Sequence, residues 1–558
     1  MATPATTPSP FDQHRPLLPH LHGYKDSGLW TERTLAELAR ERAFDAPDAV
    51  AITAGADQLT FAQLLADAEA LAVSFQNLGL SRGDRVCYQL PNWAEVAVIN
   101  LALALAGLVG VPIVPIYRDA EMRAMLADSR SRALVITDTF RRFDYGAMAE
   151  RLKRNLPELE HVIYVRPASS GPLSYSALVE AGRGRRPSGD PFGPDAAKIL
   201  LYTSGTTGRA KGVLHSQNTL NAVLGMCVRH WDIRPGDAVL MPSPVTHLTG
   251  YGFLELPLLI GSSTMLMESW DAEEAVRLID AHSLVGTVSA TPFLKELIDA
   301  AEAADTRLQS LRFFACGGAA VPPALIRRAN GWLGRPVAFR IFGCTEAPLV
   351  SMGFLDPAHS ELAATTDGQI KDYEVRIVDD QGAAVSPGQE GEIIVRGPAM
   401  MLGYLDPQQT AEAIDGKGFY HTGDIGLLSA EGAVIITGRK KDLIIRGGEN
   451  ISAKEVEDVL HRHPAVAEAA VVAMPHERLG ETGCAFVVLR RGELPPDEGA
   501  LISFVAGSGL ARQKVPEHVK AIEEMPRTST GKIRKDLLRD RARGLAADRH
   551  IKGPRGAV

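Results

Sequence analysis

The sequence has few cysteines, and their spacing matches neither a disulfide framework nor a zinc site. There are five in 558 residues, an odd number, and no two of them form a CxxC pair. We therefore expect free, reduced thiols and a cytoplasmic protein. The five are Cys87, Cys227, Cys316, Cys344 and Cys484.

An excess of positive charge is also missing. The formal net charge is −8 and aromatic residues make up 6%, with no stretch in which basic and aromatic residues alternate. This composition argues against a general nucleic-acid-binding protein. Residues 1–20 lack the basic start and apolar run of a secretory signal, and we interpret residues 1–29 as a flexible arm.

The sequence contains no long apolar run free of helix-breaking residues. Residues 96–116 carry no charge, but Asn100, Gly107, Gly110, Pro112 and Pro115 interrupt them. A straight membrane-spanning helix tolerates such prolines poorly. The pattern instead predicts a buried helix followed by a buried strand, without stable membrane insertion.

A chain of this length exceeds a single hydrophobic core and predicts several domains. Strand patterns alternate with helix patterns from Thr34, where a first helix is predicted to begin, which indicates an α/β fold with doubly wound sheets. Strands at residues 372–379 and 392–396 predict a β-rich subdomain. After it, a helix capped by Ser452, with Glu455 completing a capping box, opens a small α+β domain.

The anion-binding signal is a loop that follows a predicted buried strand at residues 199–202. All six loop residues bear a hydroxyl or are glycine, so amides and hydroxyls can surround a phosphate together with Lys211. The spacing fits neither a Walker loop nor a dinucleotide fingerprint. Such a loop can also be an ordinary polar turn. Its residues are Thr203, Ser204, Gly205, Thr206, Thr207 and Gly208.

Three later stretches add chemistry that suits a nucleotide. Glycines after a strand, as at Gly318, allow a flat base to lie against the backbone. A carboxylate such as Glu346 near bound phosphates calls for a cation between them, and Mg²⁺ prefers oxygen ligands. Asp424 could accept both ribose hydroxyls. Each of these residues, like His247 or Lys532, would be ordinary if it stood alone.

Together and in this order, the stretches at 203–212, 242–250, 314–322, 342–346, 420–424, 438–451 and 526–534 resemble the adenylate-forming (ANL) superfamily. The resemblance covers roughly residues 30–540. It implies a flexible arm at 1–29, an N-terminal domain at 30–440 that binds ATP and the acid, a mobile C-terminal domain at 441–545, and a tail at 546–558.

The resemblance also assigns roles to residues. It implies Lys532, Glu346, Thr203 and His247 as catalytic residues, Glu346 as the Mg²⁺ ligand and Lys441 as the hinge. Phe342 stands where the family more usually has tyrosine. The implied acyl pocket contains His247, Gly250, Gly318 and Gly343, and the implied CoA tunnel contains Gly447, Gly448 and Glu449. The implied ATP and AMP ligands are Thr203, Ser204, Gly205, Thr206, Thr207, Gly208, Lys211, Gly318, Ala319, Phe342, Gly343, Thr345, Glu346, Asp424, Arg439 and Lys532.

The implied activity is that of an AMP-forming acyl-CoA synthetase that uses ATP, Mg²⁺ and coenzyme A. Local strings such as 473–481 are most similar to ligases for medium-chain fatty acids or cyclohexanecarboxylate. The partners are then a small carboxylic acid, ATP and CoA, and the oligomeric state stays open. Two alternatives also stay open. One is an adenylation enzyme that loads an aryl or amino acid onto a carrier protein, and the other is a non-catalytic nucleotide or acyl sensor.

Overall fold

The computed structural model describes residues 21, 23–168, 173–189, 192–203, 210–318, 321–446, 449–490, 496–527 and 532–551, without the side chains of residues 449–450 and 547–551. The chain forms two compact units. The first contains Met1–Glu374 and Val395–Tyr420, and the second contains Val375–Ile394 and His421–Val558. The domain boundary predicted at residue 441 is the position of a hinge. A division of the chain by compactness does not test a hinge, so the boundary stays a prediction.

The α-helices of the first unit alternate with strands along most of its length. They are α1 (Gly23–Asp26), α2 (Leu35–Asp45), α3 (Phe61–Asn77), α4 (Ala94–Ala106), α5 (Asp119–Ser129), α6 (Tyr145–Asn155), α7 (Tyr175–Gly182), α8 (Gln217–Trp231), α9 (Leu248–Ile260), α10 (Ala272–His282), α11 (Thr291–Ala303), α12 (Pro323–Leu333), α13 (Ser360–Thr365) and α14 (Pro407–Ala413). The second unit adds α15 (Ala453–Leu460), α16 (Glu498–Ala506) and α17 (Lys535–Ile551). Helix α17 extends into the segment predicted as a tail.

The strands follow the same order along the chain. They are β1 (Val50–Ala54), β2 (Asp57–Thr60), β3 (Arg85–Gln89), β4 (Val109–Pro112), β5 (Ala133–Thr137), β6 (Thr139–Phe140), β7 (Phe143–Asp144), β8 (His161–Val165), β9 (Ala197–Thr203), β10 (Lys211–Ser216), β11 (Ala238–Met241), β12 (Ser263–Leu266), β13 (Gly286–Ser289), β14 (Phe313–Cys316), β15 (Ala338–Arg340), β16 (Glu374–Val378), β17 (Gly391–Arg396), β18 (Gly403–Tyr404), β19 (Tyr420–Leu428), β20 (Val434–Arg439), β21 (Leu443–Arg446), β22 (Glu449–Ser452), β23 (Val466–His476), β24 (Gly480–Leu489) and β25 (His518–Ala521).

Two seven-stranded sheets organise the first unit. One has the order β15-β14-β13-β11-β12-β1-β2 and is parallel except for β2 at its edge. The other has the order β18-β10-β9-β4-β3-β5-β8, with parallel pairing from β9 to β8 and antiparallel pairing of β10 with β9 and β18. Helices lie between successive parallel strands along the chain, as crossover connections require. The predicted α/β fold with doubly wound sheets is confirmed.

The second unit contains two smaller sheets. A four-stranded sheet has the order β16-β17-β19-β20, which is the β-rich part predicted from the sequence. A five-stranded sheet pairs β22, β21, β24 and β23 in that order, with β25 on β24. The apolar face of α15 packs against this sheet through Val456, Val459 and Leu460, beside Val471 and Val487.

The uncharged run at residues 96–116 forms the predicted helix and strand. Every residue of β4 is buried, and α4 buries most of its side chains. Gly107 ends α4 in the left-handed conformation, with φ of 68°, which a glycine adopts without strain. Among the described residues, no helix is both long and apolar enough to cross a membrane.

The two helix starts that the sequence predicts have different outcomes. Thr34 caps α2 and forms a complete capping box with Glu37. Ser452 precedes α15 as predicted, but its side chain does not cap the helix. Its hydroxyl donates to the Thr437 carbonyl at 2.6 Å, and Glu455 pairs with Lys514. The predicted capping box is therefore wrong, because both side chains have tertiary partners instead.

Candidate active site

The strands on either side of the predicted phosphate loop lie side by side. Thr203 ends β9 and Lys211 begins β10, and the two residues are directly opposite in an antiparallel register. Residues 204–209, which include the predicted ligands Ser204, Gly205, Thr206, Thr207 and Gly208, lie outside the described residues. The last residue of β9 and the first residue of β10 are therefore adjacent in the sheet.

Tyr404 links Lys211 to Glu346. Strand β18 pairs with β10, and the Lys211 Nζ lies 4.9 Å from the centre of the Tyr404 ring, within range of a cation–π interaction. The Tyr404 hydroxyl donates to Glu346 Oε1 at 2.9 Å. Burial, and next the Glu346 charge, raise the pKa of Tyr404, so its hydroxyl keeps its proton. Tyr404 is not among the site residues predicted from the sequence.

Glu346 is 8% exposed and lies in an irregular segment between β15 and α13. Its carbonyl accepts from the Met401 amide at 2.8 Å, while its carboxylate accepts from Tyr404. The main chain and the side chain of Glu346 are thus held by two residues of one short segment, Met401 and Tyr404. Within the described parts of the chain, no group of three or more His, Cys, Asp or Glu side chains could hold a metal by itself.

A second unpredicted residue, His215, contacts the same segment. His215 lies on β10 and is fully buried. Its Nε2 is 2.7 Å from the Thr345 carbonyl, and its Nδ1 is 3.0 Å from the Thr219 hydroxyl. Burial lowers the pKa of His215 to about 4. No local signal marks the contact of His215 with Thr345 or that of Tyr404 with Glu346, because the partners lie 130 and 58 residues apart in the sequence.

Phe342 and Gly343 begin the turn that leads to Thr345 and Glu346. Phe342 is buried, and its backbone amide donates to the Ser351 hydroxyl at 2.8 Å. A Cβ at Gly343 would lie 2.4 Å from the Leu349 nitrogen. Backbone packing therefore requires a glycine at 343, whether or not a ligand approaches it.

His247 stands directly before α9 and is its N-cap residue, although its side chain does not cap the helix. Gly250 allows α9 to pack closely, because a Cβ there would lie 2.3 Å from the Pro244 carbonyl oxygen. Leu248 and Tyr251 of α9 pack in one buried cluster with Ile199 and Leu201 of β9, and with Leu220. The strand that leads to Thr203 and the helix that follows His247 thus share an apolar core.

Gly318 follows β14 with φ of 80°, a conformation that favours glycine. Its predicted neighbour in the nucleotide site, Ala319, lies outside the described residues, as do the predicted CoA-tunnel residues Gly447 and Gly448. Glu449 begins β22, and its side chain is not described. The roles of these residues remain predictions.

The second unit brings four predicted residues together. Asp424 and Arg439 are directly opposite on β19 and β20, and the Arg439 Nε donates to Asp424 Oδ1 at 2.5 Å. Asp424 is buried, which raises its pKa, while the charges of Arg439, Lys532 and Lys441 oppose that rise. The three positive charges therefore offset part of the cost of burying the Asp424 carboxylate.

Lys441 and its neighbour Asp442 lie at the junction between β20 and β21. Loss of hydration, and next the Arg439 charge, lower the pKa of Lys441. Asp442 pairs with Arg539 of α17, and Lys535 of the same helix pairs with Glu457 at 2.7 Å. The segment predicted as a hinge is thus tied to the C-terminal helix.

Comparisons with known proteins identify the family of the chain. Residues 39–405 match the family described as AMP-binding enzyme, and residues 455–532 match the AMP-binding enzyme C-terminal domain. The chain is 34% identical to the medium-chain fatty-acid–CoA ligase of Escherichia coli (strain K12), over 94% of this chain and 93% of that one. It is also 34% identical to the vibriobactin-specific 2,3-dihydroxybenzoate-AMP ligase of Vibrio cholerae, over 93% and 95% of the two chains.

Among solved structures, ATP-bound MatB from Rhodopseudomonas palustris superimposes with a TM-score of 0.79 at 27% identity, covering 91% of this chain and 99% of that one. A family match over more than half of the chain, together with relatives above 30% identity over nearly all of it, establishes the family. The chain belongs to the AMP-binding enzymes of the adenylate-forming superfamily and is an acid–thiol ligase.

Proposed function

We propose that this enzyme is an AMP-forming carboxylic acid–CoA ligase that activates an apolar acid, either a medium-chain fatty acid or an alicyclic acid such as cyclohexanecarboxylate. The observation that carries the proposal is the contact of Tyr404 with both Lys211 and Glu346. It places a cation over the ring and a carboxylate at the hydroxyl of one side chain, beside the strands that bracket the phosphate loop.

In the first step, a carboxylate oxygen of the acid attacks the α-phosphorus of ATP. The bond to the β-phosphate breaks, pyrophosphate leaves, and an acyl-adenylate forms. Two anions must approach each other, so the protein contributes mainly charge neutralisation and orientation. We assign the grip on the β- and γ-phosphates to Lys211 and the loop from Thr203 to Gly208, and neutralisation of the carboxylate and α-phosphate to Lys532.

Glu346 fits a role as a magnesium ligand. It is a buried carboxylate, and Mg²⁺ is usually bound through one or two protein carboxylates plus substrate phosphates. When bound, the ion would neutralise phosphate charge. Tyr404 would orient the Glu346 carboxylate through its hydrogen bond, and Asp424, held by Arg439, would accept the ribose hydroxyls.

In the second step, the thiolate of CoA attacks the acyl carbon, the bond to AMP breaks, and the thiol proton passes to solvent. The 446–450 loop would line the path of CoA, and the C-terminal domain would turn about Lys441 between the steps. The 34% identity with a medium-chain fatty-acid–CoA ligase over 94% of the chain supports CoA as the acceptor.

The residues next to His247 support the proposal of an apolar acid. Residues 242–250 contain no carboxylate that could meet a substrate ammonium group, and Leu248 and Tyr251 lie in an apolar cluster. A second candidate is an aryl-acid adenylating enzyme, because the 2,3-dihydroxybenzoate-AMP ligase relative is equally identical over nearly the whole chain.

Pyrophosphate release from ATP tests the proposal. The acids are octanoate, cyclohexanecarboxylate, benzoate, 2,3-dihydroxybenzoate and phenylalanine, and mass spectrometry detects any CoA thioester. We expect octanoate or cyclohexanecarboxylate to give the highest kcat/KM and a thioester. Preference for the dihydroxybenzoate without a thioester would favour the second candidate. Glu346→Gln should lose activity, whereas Glu361→Gln, which removes an exposed partner of Arg327, should keep it.

A further inference from the structure

His215 is a buried histidine whose two ring nitrogens have defined partners. A carbonyl oxygen can only accept, so Nε2 must carry the hydrogen that it donates to the Thr345 carbonyl at 2.7 Å. In the neutral ring Nδ1 is then an acceptor, and the Thr219 hydroxyl lies 3.0 Å from it. The low pKa of His215, caused by burial, keeps the ring neutral near pH 7.

The Thr345 carbonyl belongs to the peptide group whose nitrogen is that of Glu346. A peptide group is planar, so fixing its carbonyl also fixes the direction in which the chain enters Glu346. The segment around Glu346 has no helix or strand to define it. Specific partners hold its carbonyls instead: the His215 ring for Thr345, and the Met401 amide for Glu346.

We propose that His215 is a positioning residue for Thr345 and Glu346, and that it sets the affinity of the enzyme for Mg·ATP without contacting the nucleotide. The inference depends on the proposed function, because that function assigns Thr345 and Glu346 to the phosphates and the metal ion. A neutral ring suits the task. It donates one hydrogen bond inside the protein and adds no buried charge, which a lysine or an arginine would add.

Strand β10 explains why this residue can act on the site. It carries Lys211 at its start and His215 four residues later, and its neighbour β18 carries Tyr404, the second side chain that holds Glu346. One strand pair therefore positions the phosphate-binding lysine, the carboxylate and the backbone of Thr345 together.

The test measures binding of Mg·ATP by calorimetry, in the full-length protein without acid or CoA. His215→Leu removes the donor, and we expect the Kd for Mg·ATP to rise roughly tenfold to hundredfold, the loss typical of leaving one buried acceptor unpaired. His215→Gln keeps an amide donor on a flexible side chain and should recover much of the affinity. In activity assays, the KM for ATP should rise while the KM for the acid stays within about threefold.

His161 supplies the matched control. Its Nε2 also lies at hydrogen-bond distance, 3.0 Å, from a backbone carbonyl, that of Leu78, and β8 belongs to the same sheet as β10. His161→Leu should lower the stability of the protein and leave the affinity for Mg·ATP unchanged. Equal Mg·ATP affinity in His215→Leu, His161→Leu and the wild type would overturn the proposal and leave His215 a purely structural residue.

Two further outcomes are also decisive. If His215→Leu does not fold, Thr219→Val removes the hydroxyl that contacts the Nδ1 of the ring, and we expect at least a threefold loss of Mg·ATP affinity. Unchanged affinity in that variant would overturn the proposal. If the wild type binds Mg·ATP but releases pyrophosphate with none of the acids, the proposed function fails, while the binding comparison still decides the role of His215.

Discussion

At the scale of single residues, the contact of Tyr404 with Glu346 gives the most direct prediction. Tyr404→Phe removes only the hydroxyl that donates to Glu346. Hydrogen bonds to charged groups contribute about 1.5–3 kcal/mol, so we expect kcat/KM for ATP to fall by roughly one to two orders of magnitude. In a titration of pyrophosphate release against Mg²⁺ concentration, the Mg²⁺ concentration that gives half-maximal activity should be higher than in the wild type.

Tyr164 provides the control for this prediction. Its hydroxyl donates to Glu150 at 3.3 Å in an exposed position, so Tyr164→Phe removes the same kind of bond away from the site. We expect that variant to behave as the wild type. A Tyr404→Phe enzyme with the same Mg²⁺ dependence as Tyr164→Phe would contradict the role of Tyr404.

His215 also makes the stability of the first unit depend on pH. Its pKa is about 4 in the folded protein, below the ordinary value of 6.5, so the unfolded chain binds a proton that the folded chain does not. The stabilisation is complete above pH 6.5 and falls as the pH decreases towards 4. Between pH 7.5 and pH 5 the free energy of unfolding should drop by about 2 kcal/mol from this group.

Urea unfolding of the wild type and of His215→Gln at the two pH values measures that drop. The variant lacks the ring, so its stability should change less between pH 7.5 and pH 5. Equal changes in both proteins would show that the ring does not titrate with a lowered pKa.

The sequence indicates candidate site residues, but it does not indicate the side chains that hold them in place. Glu346 and Lys211 stand in short strings whose residue types already suggest phosphates and a cation. Tyr404 and His215 act through partners 58 and 130 residues away, and no periodicity or motif in their own surroundings indicates such contacts. Only the pairing of β10 with β18 brings these residues together.

At the scale of elements, a buried ion pair fixes β9 to α9. Lys198 of β9 pairs with Glu255 of α9, and Gln217 and Asn100 donate further hydrogen bonds to the Glu255 carboxylate at 2.9 and 3.0 Å. Both charged side chains are buried. The pair therefore joins the strand that leads to Thr203 with the helix that follows His247.

Lys198→Met should destabilise the first unit by about 3–5 kcal/mol, because it leaves the Glu255 charge buried without its partner. The double variant Lys198→Met with Glu255→Leu should regain much of that stability. Urea unfolding monitored by tryptophan fluorescence measures both effects.

An exposed ion pair serves as the comparison for this prediction. Lys295 pairs with Asp299 one turn along α11, so Lys295→Met should change the stability by no more than about 0.5 kcal/mol. If the double variant at 198 and 255 is as unstable as Lys198→Met alone, the unpaired carboxylate is not the cause.

The sequence predicts helices and strands correctly where residues within the same segment determine their ends. Thr34 starts α2 as expected, and glycine and prolines divide residues 96–116 into a helix and a strand. The predicted cap at Ser452 fails because its hydroxyl bonds to Thr437 on the neighbouring strand β20. The sequence around Ser452 does not indicate that a tertiary hydrogen bond competes with the helix cap.

At the scale of the whole molecule, the predicted site residues are divided between two compact units. Glu346, Lys211 and His247 belong to the first, and Asp424, Arg439, Lys441 and Lys532 to the second. The alternation of strands and helices predicted the sheet class, whereas the strand orders depend on long-range pairing that the sequence pattern does not encode. The predicted hinge at Lys441 is a statement about motion of the C-terminal domain, so an activity assay has to test it.

Lys532→Ala should abolish formation of the acyl-adenylate and spare thioester formation from acyl-adenylate supplied in the assay. The reason is that, in the proposed mechanism, Lys532 neutralises the two anions only in the first step. Lys520, which pairs with Glu498 in the same unit, is the control lysine, and Lys520→Ala should retain both half-reactions. Equal loss of both half-reactions in Lys532→Ala would contradict the assigned role.

The most direct test of the central claim is exchange of labelled pyrophosphate into ATP in the absence of CoA. Exchange requires reversible formation of an acyl-adenylate and does not depend on the thiol acceptor. We predict exchange by the wild type that needs both Mg²⁺ and an apolar carboxylic acid, and none by Lys532→Ala. A folded wild-type protein that binds Mg·ATP but exchanges no label with any acid tested would contradict the assignment.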